Sequence, residues 1–452
     1  MRQADMATAL IVLAAGQGTR MLSDLPKVLH EVAGAPLLAH ALRSGQALDP
    51  DRIIVVAGHG ADSVRASAEI WAPGAQIAVQ SEQLGTGHAV AQAAPLLSGH
   101  DGDAVVLYGD TPFIGAASLK RMQAARAASD LVVLGFEAAD PGRYGRLVTS
   151  GASLEKIVEW KDASAEERAI TLCNSGILMA RTDVLLELVA ELSNDNAAGE
   201  YYLTDTVSLA RTRGLSAAVV TCAEAETLGV NTRAQLAAAE AAFQTAARDA
   251  ALTSGVTLVA PETVFFSHDT VLGRDTLVEP YVTFGPGVSV ETGAAIRAFS
   301  HLEGAHVSGG AVVGPYARLR PGAELADGVR IGNFVEVKNA RLAEGVKVNH
   351  LSYIGDADIG PKTNVGAGVI TCNYDGVFKH QTIIGQDAFI GSNTMLVAPV
   401  TIGDGALTAS GSVITSDVPA EAMAVARAPQ VTKPGLARRF FERLRAQKAR
   451  KG

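Results

Sequence analysis

The order of apolar and polar residues divides the chain into two parts with different periodicities. Up to about residue 230, short apolar runs alternate with alanine-rich stretches such as residues 116–129. The runs that we interpret as buried strands cover residues 9–13, 53–56, 104–107 and 131–134. Strand and helix signals in alternation predict an α/β fold with a mainly parallel sheet. Ligands of such sheets bind beyond the carboxyl ends of the strands.

From about residue 270 the apolar period becomes six residues. Of 18 positions that follow this period, 17 carry a large apolar side chain, although only 48% of the whole chain is hydrophobic. The positions form three series: Leu272, Val278, Phe284, Val290, Ile296 and Leu302; Val307, Val313, Leu319, Leu325, Ile331 and Val337; Ile384, Ile390, Leu396, Ile402, Thr408 and Ile414. A six-residue period predicts a parallel β-helix, in which each coil covers the apolar face of the next.

The two patterns suggest four segments. We expect an α/β domain at 1–232, a linker helix at 233–253, a β-helix at 254–432 and a basic tail at 433–452. The tail carries eight basic side chains against one acidic side chain, which favours a frayed, solvated terminus. Contact with a membrane or with RNA is the alternative for this tail.

Composition narrows the functional class. The 452 residues carry a net charge of −9, which argues against an extended nucleic-acid footprint. Cys173, Cys222 and Cys372 share no CxxC spacing, so we expect a reducing cytoplasm and neither a disulfide framework nor a cysteine zinc site.

No uninterrupted apolar run reaches 18 residues, so we expect no transmembrane helix. We interpret residues 7–15 as a strand and not as a signal peptide, because Asp5 precedes them.

A glycine-rich segment follows the first predicted strand. It reads LAAGQGTRM from Leu13, and Lys27 follows shortly after it. Gly16 lets the backbone approach a ligand, and successive N–H groups can surround phosphate oxygens, to which Arg20 and Lys27 add positive charge. Asp110 follows another predicted strand, where a carboxylate can hold Mg²⁺, although a helix N-cap is its alternative role.

These motifs resemble the signature of the sugar-1-phosphate nucleotidyltransferases. The further segments RYGRL, IVEWKDA, CNSGI and GVNTR are similar to those of a bifunctional bacterial family. Its members join N-acetylglucosamine-1-phosphate uridyltransferase to glucosamine-1-phosphate acetyltransferase. The resemblance covers essentially the whole chain, and it implies a Rossmann-like nucleotidyltransferase domain followed by a left-handed β-helix.

For the first domain the resemblance implies uridylyl transfer from UTP to N-acetylglucosamine-1-phosphate. Arg20 and Lys27 would stabilise the transition state, and Asp110 and Asn231 would share Mg²⁺. The other residues implied to hold nucleotide or sugar are Leu13, Ala14, Ala15, Gly16, Gln80, Gly85, Thr86, Tyr108, Gly109, Gly145, Glu159 and Asn174. Gln17 stands where the family commonly has lysine, and we expect it to lower phosphate affinity.

The β-helix segment carries a second polar cluster. Arg320 and Lys338 are 18 residues apart, one full coil of a three-sided helix, so we expect them to stack on one face. His350 lies 12 residues further and falls on another side. Two cations suit a sugar phosphate, and a nearby imidazole suits a general base. An isolated outward histidine is usually only solvated, but these neighbours favour a catalytic role.

The resemblance implies that this cluster transfers acetyl from acetyl-CoA to the 2-amino group of glucosamine-1-phosphate. His350 would be the general base. Arg320 and Lys338 would hold the phosphate, and Tyr353 and Asn364 the sugar. The residues implied to contact acetyl-CoA are Ala367, Asn373, Tyr374, Ser392, Ser410 and Arg427. The family usually has alanine at position 410, which is a tolerable difference if that contact is made by the backbone.

The leading hypothesis is therefore a bifunctional cytoplasmic enzyme that makes UDP-N-acetylglucosamine for peptidoglycan and lipopolysaccharide. One alternative is a single-activity nucleotidyltransferase whose β-helix only assembles it, as in ADP-glucose pyrophosphorylase relatives. Another is a non-catalytic assembly protein built on the same fold. Catalytic residues on the outside of a three-sided helix suggest sites completed by neighbouring copies, which predicts a homotrimer.

Overall fold

The computed structural model of the chain describes residues 7–451, so Asp5 lies outside the described residues. The chain forms two compact units, Met1–Ala247 and Arg248–Gly452. The division falls inside the helix Arg233–Thr253, which occupies the predicted linker. The prediction of four separate segments stays a prediction.

The first unit is built on a nine-stranded sheet. Its strands, together with a separate two-stranded pair, are β1 (Ala7–Ala14), β2 (Glu31–Val32), β3 (Ala35–Pro36), β4 (Arg52–Ala57), β5 (Gln76–Val79), β6 (Gly102–Tyr108), β7 (Leu131–Glu137), β8 (Arg146–Ser150), β9 (Ser153–Val158), β10 (Leu172–Arg181) and β11 (Ala217–Cys222). The order in the large sheet is β5-β4-β1-β6-β10-β7-β11-β9-β8. The block β5-β4-β1-β6 is parallel, as expected, and β7 pairs in parallel with β11.

The remaining pairings of this sheet are antiparallel. β10 runs antiparallel to both β6 and β7, and β9 runs antiparallel to β8 and β11. Only Gly151 and Ala152 separate β8 from β9, which is far shorter than a parallel crossover requires. The sheet is therefore mixed: it is parallel from β5 to β6, and beyond β6 its pairings are antiparallel except for the parallel pair β7 and β11.

Helices cover both faces of this sheet. They are α1 (Leu37–Gln46), α2 (Ala61–Trp71), α3 (Thr86–Ala93), α4 (Ala116–Arg126), α5 (Ala165–Arg168), α6 (Thr182–Ala190), α7 (Asp205–Thr212) and α8 (Arg233–Thr253), with 3-10 turns at Thr19–Met21, Lys27–Leu29, Ala94–Leu97 and Glu224–Thr227. Ile11 packs into a core with α3, α6 and α7, whereas its neighbour Val12 packs into another with α1, α2 and α4. Burial on both faces explains why these strands read as continuous apolar runs.

The second unit is a left-handed parallel β-helix of short strands. In chain order they are β12 (Thr257–Leu258), β13 (Val271–Leu272), β14 (Leu277–Val278), β15 (Thr283–Phe284), β16 (Ser289–Val290), β17 (Ala295–Ile296), β18 (His301–Leu302), β19 (Ala305–Val307), β20 (Val312–Val313), β21 (Arg318–Leu319), β22 (Ala323–Leu325), β23 (Arg330–Asn333), β24 (Glu336–Leu342), β25 (Lys347–His350), β26 (Tyr353–Ile359), β27 (Asn364–Val365), β28 (Ile370–Cys372), β29 (Thr382–Ile384), β30 (Phe389–Ile390), β31 (Met395–Val397), β32 (Val400–Ile402), β33 (Leu407–Thr408), β34 (Val413–Ile414) and β35 (Met423–Ala424), with a 3-10 turn at Pro261–Thr263. Each strand pairs with the strand one coil further along the chain.

The six-residue apolar series forms the interior of this helix. All of the 18 predicted positions are buried except Leu272, which is half-buried near the first coil. On one corner, successive coils place aromatic residues with positive φ angles above one another. The rings of Tyr281, Phe299, Tyr316 and Phe334 stack there with centroids 4.9 to 5.3 Å apart.

Residues 433–451 are exposed, as expected of a solvated tail, but most of them are helical instead of frayed. They form α9 (Leu436–Ala449), an α-helix whose residues are all exposed. Leucine, alanine, arginine and lysine favour helices, and Arg438 pairs with Glu442 one turn later at 3.3 Å. Within residues 7–451, no helix has the length and apolar content that crossing a bilayer would need.

We predict that Ile331→Ala destabilises the β-helix by about 2 to 5 kcal/mol, because Ile331 is 1% exposed and a cavity replaces its side chain. Urea unfolding monitored by circular dichroism measures this change. Arg330→Ala on the same strand is the control, since its side chain is exposed and its loss should shift stability by no more than about 0.5 kcal/mol. Equal effects of the two substitutions would contradict the assignment of the interior.

Candidate active sites

A cleft of about 330 Å³ lies at the carboxyl ends of the parallel strands of the first unit. Residues that follow β1, β5 and β6 line it, because parallel strands end at one edge of the sheet. The predicted residues in its wall are Leu13, Ala14, Ala15, Gly16, Lys27, Gln80, Gly85, Thr86, Tyr108 and Asp110. The structure thus brings together three predicted segments that lie far apart in the sequence.

Lys27 links the two residues that were predicted to share a metal. Its Nζ donates to a carboxylate oxygen of Asp110 and, over 2.9 Å, to Oδ1 of Asn231. Gly18 allows this arrangement, since its φ is 64° and a Cβ there would lie 2.6 Å from Cβ of Lys27. No cluster of three or more histidine, cysteine or acidic side chains with metal-binding geometry occurs within residues 7–451.

A second cleft of about 300 Å³ adjoins the first, with which it shares Tyr108 and Asp110. Asn174 and Asn231 also line it. The backbone N–H of Asn174 donates a hydrogen bond to the carbonyl of Gly145 over 2.8 Å. The two clefts therefore meet at Tyr108 and Asp110.

Glu159 lies beside Gly145, where a Cβ would be 3.5 Å from its carboxylate. Burial raises the pKa of Glu159, although a hydrogen bond from the Thr204 hydroxyl at 3.2 Å partly offsets this. The pKa of Tyr108 is raised mainly by burial and secondly by the negative charge of Glu159. The predicted residues Gly145, Glu159 and Asn174 are thus adjacent in space.

Gln80 is buried with only 4% of its surface exposed. Its Nε2 donates to the carbonyl of Gly85 over 3.1 Å and lies 3.1 Å from Nδ1 of His88. Gln83, which sequence reasoning missed, donates to the carbonyl of Ala15 over 2.7 Å and lines the first cleft. Its only sequence signal is its position between two predicted residues, Gln80 and Gly85.

Four predicted residues of this site do not line either cleft: Gly145 and Glu159, which are described above, and Arg20 and Gly109. Arg20 lies in the exposed turn Thr19–Met21. Gly109 donates its N–H to the carbonyl of Leu13 over 2.9 Å, so it supports the cleft wall from behind. Glu200 in the first cleft and Arg143 and Tyr144 in the second were not predicted.

In the β-helix, Arg320 and Lys338 stack on one face as expected. β21 pairs with β24, and the N–H of Arg320 donates to the carbonyl of Val337 over 2.8 Å. The Arg320 guanidinium donates to Glu336 over 2.8 Å. Lys379, a cation that the sequence analysis did not identify, lies close to Lys338, and the proximity and like charge of Lys338 lower the pKa of Lys379.

His350 ends β25 on a different face, as expected, and Asn364 lies on the next strand of that face. Its Nδ1 lies 3.2 Å from Oδ1 of Asn333. Tyr353 begins β26, and its hydroxyl accepts a hydrogen bond from Asn373 over 3.4 Å. Asn373 also donates to Asp356.

The segment after Cys372 leaves the coil, as the break in the period predicted. It folds back through an antiparallel bridge between Tyr374 and Lys379. Asp375 accepts hydrogen bonds from the His380 ring and from the N–H groups of Phe378 and Val377, which hold the pKa of Asp375 at about 2. The loop is therefore ordered by its own contacts and presents an exposed Tyr374.

The other residues predicted for acetyl-CoA follow one edge of successive coils. Val365, Ile390 and Thr408 are in register, so Ala367, Ser392 and Ser410 follow at equivalent positions two residues later. Arg427 lies near the end of this row, where a Cβ on Gly411 would be 3.8 Å from its Cδ. The row presents a continuous edge for an extended ligand.

Comparison with known proteins gives matches to both units. A MobA-like NTP transferase domain matches residues 10–176, and a bacterial transferase hexapeptide (six repeats) matches residues 381–416. Proteins named Bifunctional protein GlmU match almost the whole chain. The protein from Cereibacter sphaeroides is 68% identical over 438 residues, covering 97% of this chain and 96% of that protein. The protein from Dinoroseobacter shibae is 67% identical, covering 99% of this chain and 100% of that protein. The protein from Jannaschia sp. is 61% identical, covering 97% of this chain and 97% of that protein.

We predict that Glu159→Gln stabilises the protein at pH 7.5 but not at pH 4. A buried acid whose pKa is raised above the ordinary value of 4.5 costs the folded state stability as the pH rises through the raised pKa. Glutamine keeps an acceptor for Thr204 without the charge. Thermal unfolding at both pH values measures the difference. Glu82→Gln, at an exposed position, is the control and should give no gain; an equal gain there would contradict the assigned cause.

Proposed function

The chain belongs to the GlmU family of bifunctional proteins, and we propose that its two sites perform successive steps in making UDP-N-acetylglucosamine. It is an enzyme with uridyltransferase and N-acetyltransferase activities. We assign uridylyl transfer to the two clefts of the first unit and acetyl transfer to the cluster around His350. The convergence of the predicted segments on two adjoining clefts that share Asp110 carries the first assignment.

In uridylyl transfer an oxygen of N-acetylglucosamine-1-phosphate attacks the α-phosphorus of UTP, and the bond to pyrophosphate breaks. The first cleft takes the nucleotide, and the adjoining cleft takes the sugar phosphate. The backbone at Gly16 and the Lys27 ammonium then face the triphosphate, where positive charge stabilises the transition state. No covalent nucleophile is required.

The residues around Lys27 fit a magnesium ion. Oδ1 of Asn231 and a carboxylate oxygen of Asp110 both lie within hydrogen-bond distance of one ammonium group, so they converge on a point that already holds a cation. One carboxylate and one further protein oxygen match the sites that bind Mg²⁺ together with substrate phosphates. Bound there, Mg²⁺ would neutralise phosphate charge. Lys27 would then be free to contact the triphosphate.

In acetyl transfer the 2-amino nitrogen of glucosamine-1-phosphate attacks the thioester carbonyl of acetyl-CoA. His350 accepts the proton that the amine loses, the C–S bond breaks, and the thiol of coenzyme A leaves. Arg320 and Lys338 hold the phosphate, and Tyr353 and Asn364 orient the sugar. Ala367, Ser392, Ser410 and Arg427 hold acetyl-CoA along their edge of the coils, and Asn373 and Tyr374 contact it from the loop. Backbone contact at this edge is compatible with Ser410.

Assembly and compartment are also part of this proposal. The cluster around His350 lies on the outside of the β-helix, and the loop that contains Tyr374 projects from it. We infer that neighbouring copies complete these sites around a three-fold axis, and we therefore assign a homotrimer. The three cysteines are free thiols, which suits the reducing cytoplasm, where precursors of peptidoglycan and lipopolysaccharide are made.

Purified protein with glucosamine-1-phosphate, acetyl-CoA, UTP and Mg²⁺ should release both free thiol and pyrophosphate. We expect EDTA to stop pyrophosphate release and to leave thiol release unchanged, because only the first site needs the metal. The two products are followed separately in one reaction. Pyrophosphate release only from ready-made N-acetylglucosamine-1-phosphate, without thiol release, would instead reduce the β-helix to a scaffold.

Single substitutions should separate the two activities. His350→Ala is expected to lower acetyl transfer by at least about 100-fold, because the general base is lost. Asp110→Ala is expected to lower uridylyl transfer by at least about 100-fold, because charge neutralisation is lost. Each variant should keep the other activity. His301→Ala and Asp62→Ala, at exposed positions, are matched controls, and loss of both activities in a folded variant would refute the two-site assignment.

A further inference from the structure

Asn333 and His350 face each other on neighbouring coils. β23 and β25 pair in parallel with these two residues opposite one another, and Oδ1 of Asn333 lies 3.2 Å from Nδ1 of His350. An amide oxygen can only accept a hydrogen bond, so Nδ1 carries the proton and Nε2 keeps a free lone pair. We propose that Asn333 is a positioning residue that holds His350 in the tautomer whose Nε2 accepts the proton of the substrate amine.

The backbone places both residues firmly. A Cβ on Gly332 would lie 1.9 Å from the carbonyl oxygen of Asn349, so the two coils approach more closely than any side chain would allow. The N–H of Leu351 donates to the carbonyl of Asn333 over 3.0 Å. On the other side, the carbonyl of His350 accepts from the N–H of Gly368 over 3.1 Å. The freedom that is left to the His350 ring is rotation about its side-chain bonds, which the bond to Asn333 restrains.

A neutral partner suits this role better than a carboxylate. His350 is exposed, and water can pair with either ring nitrogen, so the backbone alone does not choose a tautomer. A carboxylate at position 333 would favour the imidazolium ion, which cannot accept a proton. Of the strands that flank His350, β23 carries the titratable residue Arg330 and β27 carries none, while Lys347 lies on its own strand. Asn333 therefore fixes the proton without adding charge.

This inference rests on the proposed acetyltransferase function, but its first test does not require activity. In the full-length protein with ¹⁵N-labelled histidine, NMR of the ring nitrogens should show His350 protonated at Nδ1 at high pH. Comparison with His350→Gln assigns its signals. Asn333→Leu removes the acceptor at nearly constant volume and should move the proton to Nε2, the nitrogen that free imidazole side chains prefer. An unchanged tautomer would overturn the proposal.

The kinetic test uses thiol release by the same proteins. Asn333→Leu should lower kcat by about 10- to 100-fold, as losing a partner that orients a functional histidine commonly does, with KM for glucosamine-1-phosphate changed less than about twofold. Asn333→Asp should keep full activity at high pH but shift the acidic limb of the pH profile upward by about one unit, because a carboxylate stabilises the protonated ring. A purely structural role would not produce that shift.

Asn349→Leu is the matched control on the same strand, and it should leave kcat, the pH profile and the tautomer of His350 unchanged. Wild-type kcat and an unshifted profile in both Asn333 variants would overturn the proposal. A loss of activity without a change of tautomer would overturn it as well. If the wild-type protein releases no thiol at all, the acetyltransferase assignment itself fails, whereas the NMR result still decides the role of Asn333.

Discussion

Parallel strand pairing is the constraint on which both sites depend, because it decides which distant parts of the chain end side by side. In the first unit it brings the ends of β1, β5 and β6 to one edge of the sheet, where the first cleft lies. In the β-helix it stacks Arg320 beside Lys338 and His350 beside Asn333. Neither arrangement requires the residues themselves to attract one another, since the apolar interior sets the register.

That register explains how two cations can share one face of the β-helix. Arg320 and Lys338 occupy adjacent coils because the residues that precede them, Leu319 and Val337, are buried in register. The charge of Arg320 is partly offset by Glu336, which accepts a hydrogen bond from its guanidinium. The packing energy of the interior thus holds charges in an arrangement that they would not adopt alone.

The first unit uses burial in a comparable way. Glu159 lies near Gly145 and Tyr108, and burial raises its pKa. The ionised carboxylate is therefore less stable there than in water, and the packing of the fold offsets this cost. Lys27 instead finds two oxygens, from Asp110 and from Asn231, 204 positions away. The polar groups of this site are placed by strands and turns whose apolar residues pack on both sides of the sheet.

The sequence by itself predicted the two architectures, from strand and helix signals in alternation and from a six-residue apolar period. Most of the candidate residues came from the resemblance of its motifs to a known family. The sequence did not reveal Gln83, Glu336, Lys379 or Asn333, because no spacing or composition distinguishes these residues from solvated ones. It also suggested a frayed tail where α9 forms. Only the tertiary structure decided which side chains meet. Hydrogen bonds such as that between Asn333 and His350 depend on the 17-residue offset between two coils and on the close approach of those coils at Gly332.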